Sequence, residues 1–361
     1  MTIYYPFLKL KLNEVLSLGT LSAGTRSRIR PFFDVPRTSK AQNANEILER
    51  IRIGAEKMES AQNTIGPFPF YIDNFDLDDD ITLLGVNQYE YILDIFKIYR
   101  AIPVLALDRN TDHNKAVYKY LEDVGGPVAV RLQLEDIDSW TSARRKLRQL
   151  WTDINETGTR HIDVFIDSRV ISESEDNALS VHVHEFIKKF RLEFLANAIV
   201  VTGSTVPSNI GELIETGSYK TIDRLEYRLW KSLIRDEELS DIRFGDYGVV
   251  SPDYADIDLD PKLFRSVSTP RALYPFQDKT MLVRGSSFKT HPDGNGQYFH
   301  IADFLHRQPF FRGREYSAGD KYIHDRSSSS IKRPKKAGSP GSWVKSTLAS
   351  HITYICDTLY R

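Results

Sequence analysis

Cysteine is almost absent: Cys356 is the only one in 361 residues. A single thiol excludes an internal disulfide framework and any zinc cage built on cysteine. Excess charge of either sign is absent too. Lys and Arg number 48 against 49 Asp and Glu, a formal net charge of −1. No overall field draws such a chain to nucleic acid or to a lipid surface, so any attraction of that kind has to be local. No apolar run approaches the ~20 residues of a membrane-spanning helix. The opening MTIYYPFLKLKLNE lacks the basic start, apolar block and small-residue cleavage site of a signal peptide. The expectation is a cytoplasmic protein with no membrane partner. Three motifs are also missing: a GxxxxGK[ST] phosphate loop, a nucleophile elbow and the HExxH spacing.

What is present is a core former. Hydrophobic residues make up 41% and charged residues 27%, enough to bury a large core and keep a polar surface. Short β-rich runs recur at 3–10, 28–35, 68–75, 101–108, 126–134, 161–168, 197–204 and 241–250. The first seven each lead directly into a segment of helical periodicity. Strand–helix alternation implies parallel pairing with right-handed crossovers, and eight strands is the number that closes into a (β/α)8 barrel. The expected fold is that barrel, regular or distorted; a doubly wound open sheet is the alternative that periodicity alone does not separate. The pattern breaks after residue 250. Residues 251–342 are rich in Pro, Gly, Asp and Ser, with a strand candidate at 280–288 and a helical stretch at 298–307. The segment 343–361 places Val344, Leu348, Ile352, Ile355 and Leu359 near one helical face. It reads as the eighth barrel helix, which makes 251–342 a long insertion before it and 1–250 the barrel proper.

Strand after strand ends in a polar or ionisable residue. Lys9 and Lys11 follow the first, Asp34 ends the second, Asp73 the third and Asp108 the fourth. Arg131 and Gln133 end the fifth, Asp167 and Arg169 the sixth, Ser204 and Thr205 the seventh, and Asp246 and Tyr247 lie late in the eighth. In a closed parallel barrel these ends converge on one rim, where barrel enzymes do chemistry. A buried carboxylate is costly unless paired, so a ring of mixed signs is coherent, and it makes a polar pocket for a charged small molecule, one bearing phosphate included. Lys9 and Lys11 are candidate clamps or, if desolvated, bases. Asp34, Asp73, Asp167 and Asp246 are candidates for acid–base work or for holding Mg²⁺, which takes carboxylate oxygens and waters. Arg131, Gln133, Ser204, Tyr247 and Arg284 are candidate ligand-binding residues. VHVHE (181–185) looks metal-like, but His182 and His184 are two apart at a helix start and face different ways.

A second signal is local basicity. Lys332, Arg333, Lys335 and Lys336 lie in the serine-rich 327–342 segment, which reads as a solvated loop and as a weaker candidate for contact with phosphate backbones. The preceding FRGREYSAGDKYIHD (311–325) is a candidate lid or wall of the rim. The acidic DNFDLDDD (73–80) is its charge opposite and a candidate partner for it.

Several short motifs together resemble a known family. Tyr4, Pro6, Leu8, Lys9, Lys11 and Glu14 match its opening pattern, and Pro31-Phe32-Phe33-Asp34 its second strand. The GDYG run (245–248), the VRG run (283–285) and YSAGDKYI with Trp343 and His351 downstream complete the set. The chain resembles the "beta protein" family of phages and bacterial genomes. Where that family carries Gly-Glu after the second lysine, this chain has Asn13-Glu14, which removes a glycine turn. The resemblance implies a phage-linked or phage-conflict setting and supplies no list of catalytic residues. Two functions follow as expectations. One is an enzyme or ligand sensor that uses the polar rim. The other is a non-catalytic component of a defence or counter-defence system, with the insertion as its partner surface.

Overall fold

The computed structural model describes residues 3–37, 42–174, 176–254 and 268–359. Residues 255–267 of the expected insertion, and the last two of the expected closing helix, lie outside them. Eight strands form a closed ring: β1 (Tyr5–Lys9), β2 (Phe32–Asp34), β3 (Phe70–Asp73), β4 (Ala101–Ala106), β5 (Val128–Gln133), β6 (Ile162–Val170), β7 (Ala198–Ser204) and β9 (Arg243–Asp246). Around the ring each strand pairs in parallel with its neighbours, and β9 closes it against β1. Helices α1 (Leu12–Leu18), α2 (Ala44–Ile65), α3 (Gln88–Phe96), α4 (Thr111–Val124), α5 (Trp140–Glu156), α6 (Asp176–Arg191) and α7 (Leu225–Leu233) follow the first seven barrel strands. The fold is a (β/α)8 barrel with a long insertion between the last strand and the last helix.

Alternation along the strands sorts the side chains. Tyr5 and Phe7 of β1 point inward with Phe32, Tyr71, Val104, Ala129, Phe165 and Val200, and together they fill the barrel interior. The filling is aromatic: Phe7 stacks on Phe32 at 4.2 Å between ring centres, and Phe165 meets Tyr71 edge-on at 4.8 Å. The outward residues Tyr4, Leu8, Phe33 and Ile72 belong to the larger core between strands and helices. Both faces of the ring are therefore buried, as parallel strands require.

The insertion forms its own layer. Strands β8 (Ser218–Asp223), β10 (Arg271–Phe276) and β11 (Lys279–Arg284) make an antiparallel sheet with β11 in the middle. One face carries Ala272, Tyr274, Met281 and Val283 against helices α8 (Gln297–His306), α9 (Ala318–Arg326) and α10 (Pro340–Thr358). The other face puts Leu273 and Leu282 into the barrel's outer core. β8 arises from the connection between β7 and α7, where sequence periodicity places the start of a helix at Ile222. Ile222 instead pairs with Thr280, because β11 offers a strand edge that local pattern does not reveal. α10 begins at Pro340, earlier than its apolar stripe indicates. Ser339 caps it by accepting a hydrogen bond from the Ser342 amide, and proline is well suited to the first turn.

Candidate functional site

The register of the ring builds the centre of the rim. Lys9, Asp34 and Asp73 are directly paired neighbours on β1, β2 and β3, and Gln133 pairs with Asp167 across β5 and β6. Arg131, two residues before Gln133, therefore reaches into the ring at the same level. Its Nη1 donates to Asp34 Oδ1 at 2.7 Å and Asp73 Oδ2 at 2.8 Å, and its Nη2 to Asp167 Oδ2 at 2.6 Å and to the Tyr247 hydroxyl at 2.9 Å. Tyr247 in turn donates to Asp167 at 2.6 Å. Arg131, the three aspartates and Tyr247 are all essentially buried. Three carboxylates around one guanidinium need more positive charge. Lys9 supplies it at 3.7 Å from Asp34, and Arg109 at 3.2 Å from Asp73. Burial pushes the Asp34 carboxyl up, but Arg131 and Lys9 more than offset it and its pKa falls below the ordinary aspartate value. Burial and the Asp167 carboxylate hold the Tyr247 phenol well above its usual range, so it stays a hydrogen-bond donor.

Two aromatic rings cover this network. Phe75 lies 4.3 Å, 4.4 Å and 4.9 Å from the guanidinium carbons of Arg131, Arg169 and Arg109. Tyr254 covers Lys9 at 4.8 Å and Lys11 at 5.2 Å from its ring centre, and its hydroxyl sits 3.2 Å from Asp76 Oδ2. Aromatic faces attract cations, so the segment 73–80 folds back onto the rim's own charges. Asp76 bonds to Lys9 and Asp79 pairs with Arg109 at 3.4 Å.

One side of the rim is open. At the end of β6 the ladder with β7 slips between Asp167 and Val170, a β-bulge, and Arg169 sits at φ +50°. A non-glycine residue in that region stores strain, and such strain clusters at functional sites. The bulge swings Arg169 over Tyr247 and Phe75 and into a bond with Asp253 at 2.8 Å. Beside it lies a cleft of about 650 Å³ lined by Gln133, Glu135, Asp138, Asp167, Ser168, Arg169, His182 and Asp253 among others. Gln133 Nε2 and Ser168 Oγ, on buried residues lining this cleft, have no hydrogen-bond partner. The Gln133 backbone is held by Asp136, whose Oδ2 accepts from the Gln133 amide at 3.0 Å.

A family model described as Beta protein matches residues 4–357. The chain belongs to that family. No curated protein matches it. Among solved structures it is similar to the Paramecium bursaria Chlorella virus arginine decarboxylase bound to agmatine, at 12% identity and a TM-score of 0.33 over 56% of this chain. The match spans 58% of that enzyme's length, and a likeness this slight carries no argument about chemistry.

In this beta-family chain the rim gathers Lys9, Asp34, Asp73, Arg131, Gln133, Asp167 and Tyr247, with Lys11 at its edge. Three of the pocket candidates lie elsewhere. Asp246 ends β9 and Tyr247 follows it, and successive residues of extended chain point to opposite faces, so Asp246 faces outward. It binds His351 of α10 at 2.8 Å, Arg224 at 3.1 Å and the Tyr4 hydroxyl at 2.5 Å. Ser204 lines the small space beside Asp246, and its Oγ accepts from the Val206 amide at 3.0 Å. Arg284 ends β11 and donates to the Ile214 carbonyl at 2.6 Å, outside the barrel. The 311–325 segment is not a rim wall either. Arg312 packs on Tyr274 and bonds to Ser350 of α10 at 2.7 Å, while the acidic 73–80 loop is taken up by Lys9 and Arg109. His184 pairs with Asp236 at 2.8 Å, and His182 alone lines the cleft. Among the described residues no three His, Cys, Asp or Glu are grouped to hold a metal ion; at the rim the Arg131 guanidinium stands between the carboxylates. In the basic loop Arg333 is used internally, bonding to the Arg326 carbonyl at 2.7 Å and lying over Phe299, while Lys332, Lys335 and Lys336 are exposed. Sequence reasoning passed over Arg109, Asp76 and Phe75. The signal was present: each stands within three residues of a strand-end aspartate, where loop residues fold back over a barrel mouth.

Proposed function

We propose that this beta-family protein binds a charged small molecule at the carboxyl rim of its barrel, entering through the cleft beside Arg169. The observation that carries the reading is the bulge at 167–170. It holds Arg169 in a strained conformation over a buried charge network, next to two buried polar side chains with free hydrogen-bonding capacity. A network serving stability alone has no need of the strain. The cleft offers Arg169 and the Gln133 amide to an anionic group, and Glu135 and Asp138 to a cationic or hydroxylated one. Catalysis by Asp34, Asp73 or Asp167 requires the ligand to displace Phe75 and compete for Arg131. The test is a thermal-shift and calorimetric screen of the intact protein with inorganic phosphate, pyrophosphate and succinate, beside native mass spectrometry of the purified protein. Binding that Arg169→Ala abolishes supports the reading; no binding by any probe, together with no co-purifying mass, overturns it.

A second reading is favoured by Ile331, which is fully exposed between the serines and Lys332. An apolar tip flanked by exposed lysines suits an acidic surface on a protein partner of a phage or defence system. Ile331→Ser with Lys332→Glu weakens a partner found by affinity capture under this reading. Unchanged capture removes it.

A further inference from the structure

Two clefts adjoin at the mouth of the barrel opposite the rim. One, of about 530 Å³, is lined by Arg30, Gly126, Thr157, Thr159, Arg160 and His161 among others. The second, of about 410 Å³, takes in the half-buried side chains of Ile3, Ile29, Ile65 and Phe68. Arg30 and Pro69 line both, so the two meet there. Arg30 stands just before β2, Phe68 before β3, Gly126 before β5 and His161 before β6, which sets the clefts at the amino ends of the strands. Among the described residues no carboxylate lines either cleft.

Residues at this end of such a barrel ordinarily serve stability. Here the charges are not spent on one another. Asp163 of β6 points into the barrel beneath the first cleft and is 1% exposed. Its Oδ2 accepts from the Tyr71 hydroxyl at 2.5 Å, and Arg30 Nη1 donates to the same hydroxyl at 3.4 Å. Asp163 Oδ1 is buried with no hydrogen-bond partner. Arg30 lies 3.6 Å from one carboxylate oxygen and His161 Nε2 3.6 Å from the other, beyond hydrogen-bond reach. Asp163 therefore faces both basic groups from inside the barrel without tying up either, and a carboxylate so placed orients the groups in front of it. Gly126 at φ +102° and Gly158 at φ +78° leave part of the wall as bare backbone. Nothing lies within 4 Å of where a side chain would begin, so a ligand has close access to the main chain.

We infer that this mouth is a second binding site, independent of the rim, for a small organic phosphate with an apolar body. A phosphate monoester offers three strong acceptor oxygens, and Arg30, Arg160 and His161 are three basic groups converging on one cleft. Arginine suits phosphate through paired N–H donors. The apolar body enters the neighbouring cleft against Phe68 and Ile65, and Arg30 stands at the junction of the two parts. Apolar walls with a few convergent polar groups are the usual make-up of a small-molecule site.

The test is calorimetric titration of the intact protein with phenyl phosphate and inorganic phosphate. Phenyl phosphate is expected to bind about tenfold more tightly, because its ring enters the apolar cleft. Arg160→Glu, at an exposed position, is expected to weaken phenyl phosphate severalfold and leave the melting temperature unchanged, while Arg169→Ala leaves the binding intact. A second measurement needs no variant. Phenylglyoxal modifies arginine, and peptide mass mapping reads the rate at each one. Phenyl phosphate is expected to slow modification of Arg30 and Arg160 severalfold and to leave the exposed Arg52 of α2 unaffected. No binding of phenyl phosphate, or binding that neither Arg160→Glu weakens nor the two arginines register, overturns the inference. Binding lost in Arg169→Ala and kept in Arg160→Glu also overturns it, and supports the rim reading.

Discussion

His351 Nε2, on the last helix, lies 2.8 Å from Asp246 Oδ2, on the last barrel strand, 105 residues earlier in the chain. Both are buried. The contact fastens α10 to the barrel after the insertion, and Arg224 and Tyr4 complete the ring around the carboxylate. Glu226, beside Arg224 at 3.2 Å, belongs to the same cluster.

Removing the carboxylate leaves Arg224 and His351 facing each other without it. Breaking a buried pair from one side costs about 3–5 kcal/mol. Asp246→Ala is expected to lower the melting temperature by that measure in a calorimetric scan, whereas a change at the exposed Lys332 moves it little.

The same group sets an acid limit. His351 and Arg224 overcome the effect of burial and bring the Asp246 carboxyl from 3.8 down to about 2. A depressed carboxyl contributes stability that is complete above the unfolded value and is lost as pH falls through the folded one. That is roughly 2 kcal/mol disappearing between about pH 4 and pH 2. Denaturant melts across that range check it: Asp246→Asn should be less stable at pH 7 and show a shallower loss below pH 4.

Arg131→Met tests the central network. The substitution keeps most of the volume and strands Asp34, Asp73 and Asp167 around an apolar side chain. Carboxylates so placed must take up protons or admit water. The variant is expected to be recovered unfolded or with stability rising as pH is lowered from 7 to 5, the reverse of ordinary acid denaturation. Circular dichroism melts at the two pH values distinguish this from a neutral change.

Arg169→Gly should act differently. Glycine relieves a left-handed conformation that costs about 1–3 kcal/mol, while the change gives up a partly exposed ion pair to Asp253 of small worth. Stability is expected to stay within about 1 kcal/mol while ligand binding in the cleft is lost. A melt and a binding isotherm on the same preparation separate the two effects.

Arg333→Ala is expected to destabilise by about 1 kcal/mol, from its bond to the Arg326 carbonyl and its stacking on Phe299. Lys335→Ala and Lys336→Ala leave the melting temperature unchanged. If the loop contacts a phosphate backbone, those two exposed lysines carry the salt dependence, which a shift assay across ionic strength reads.

The sequence by itself determined the alternation of eight strands with helices, and hence a barrel with its strand-end charges near one mouth. It also placed the apolar face of the closing helix. Short-range periodicity carries these features, and periodicity survives without coordinates. Tertiary structure decided the rest. In DIRFGDYGVV both faces of the strand are buried, so no polar alternation tells which of Asp246 and Tyr247 looks inward; only pairing with β1 settles it. β8 is a strand because β11 lies alongside it, and its own residues do not say so. Lys9, Asp34 and Asp73 line up because parallel register aligns strands distant in sequence, and Arg131 reaches all three carboxylates only once the ring has closed.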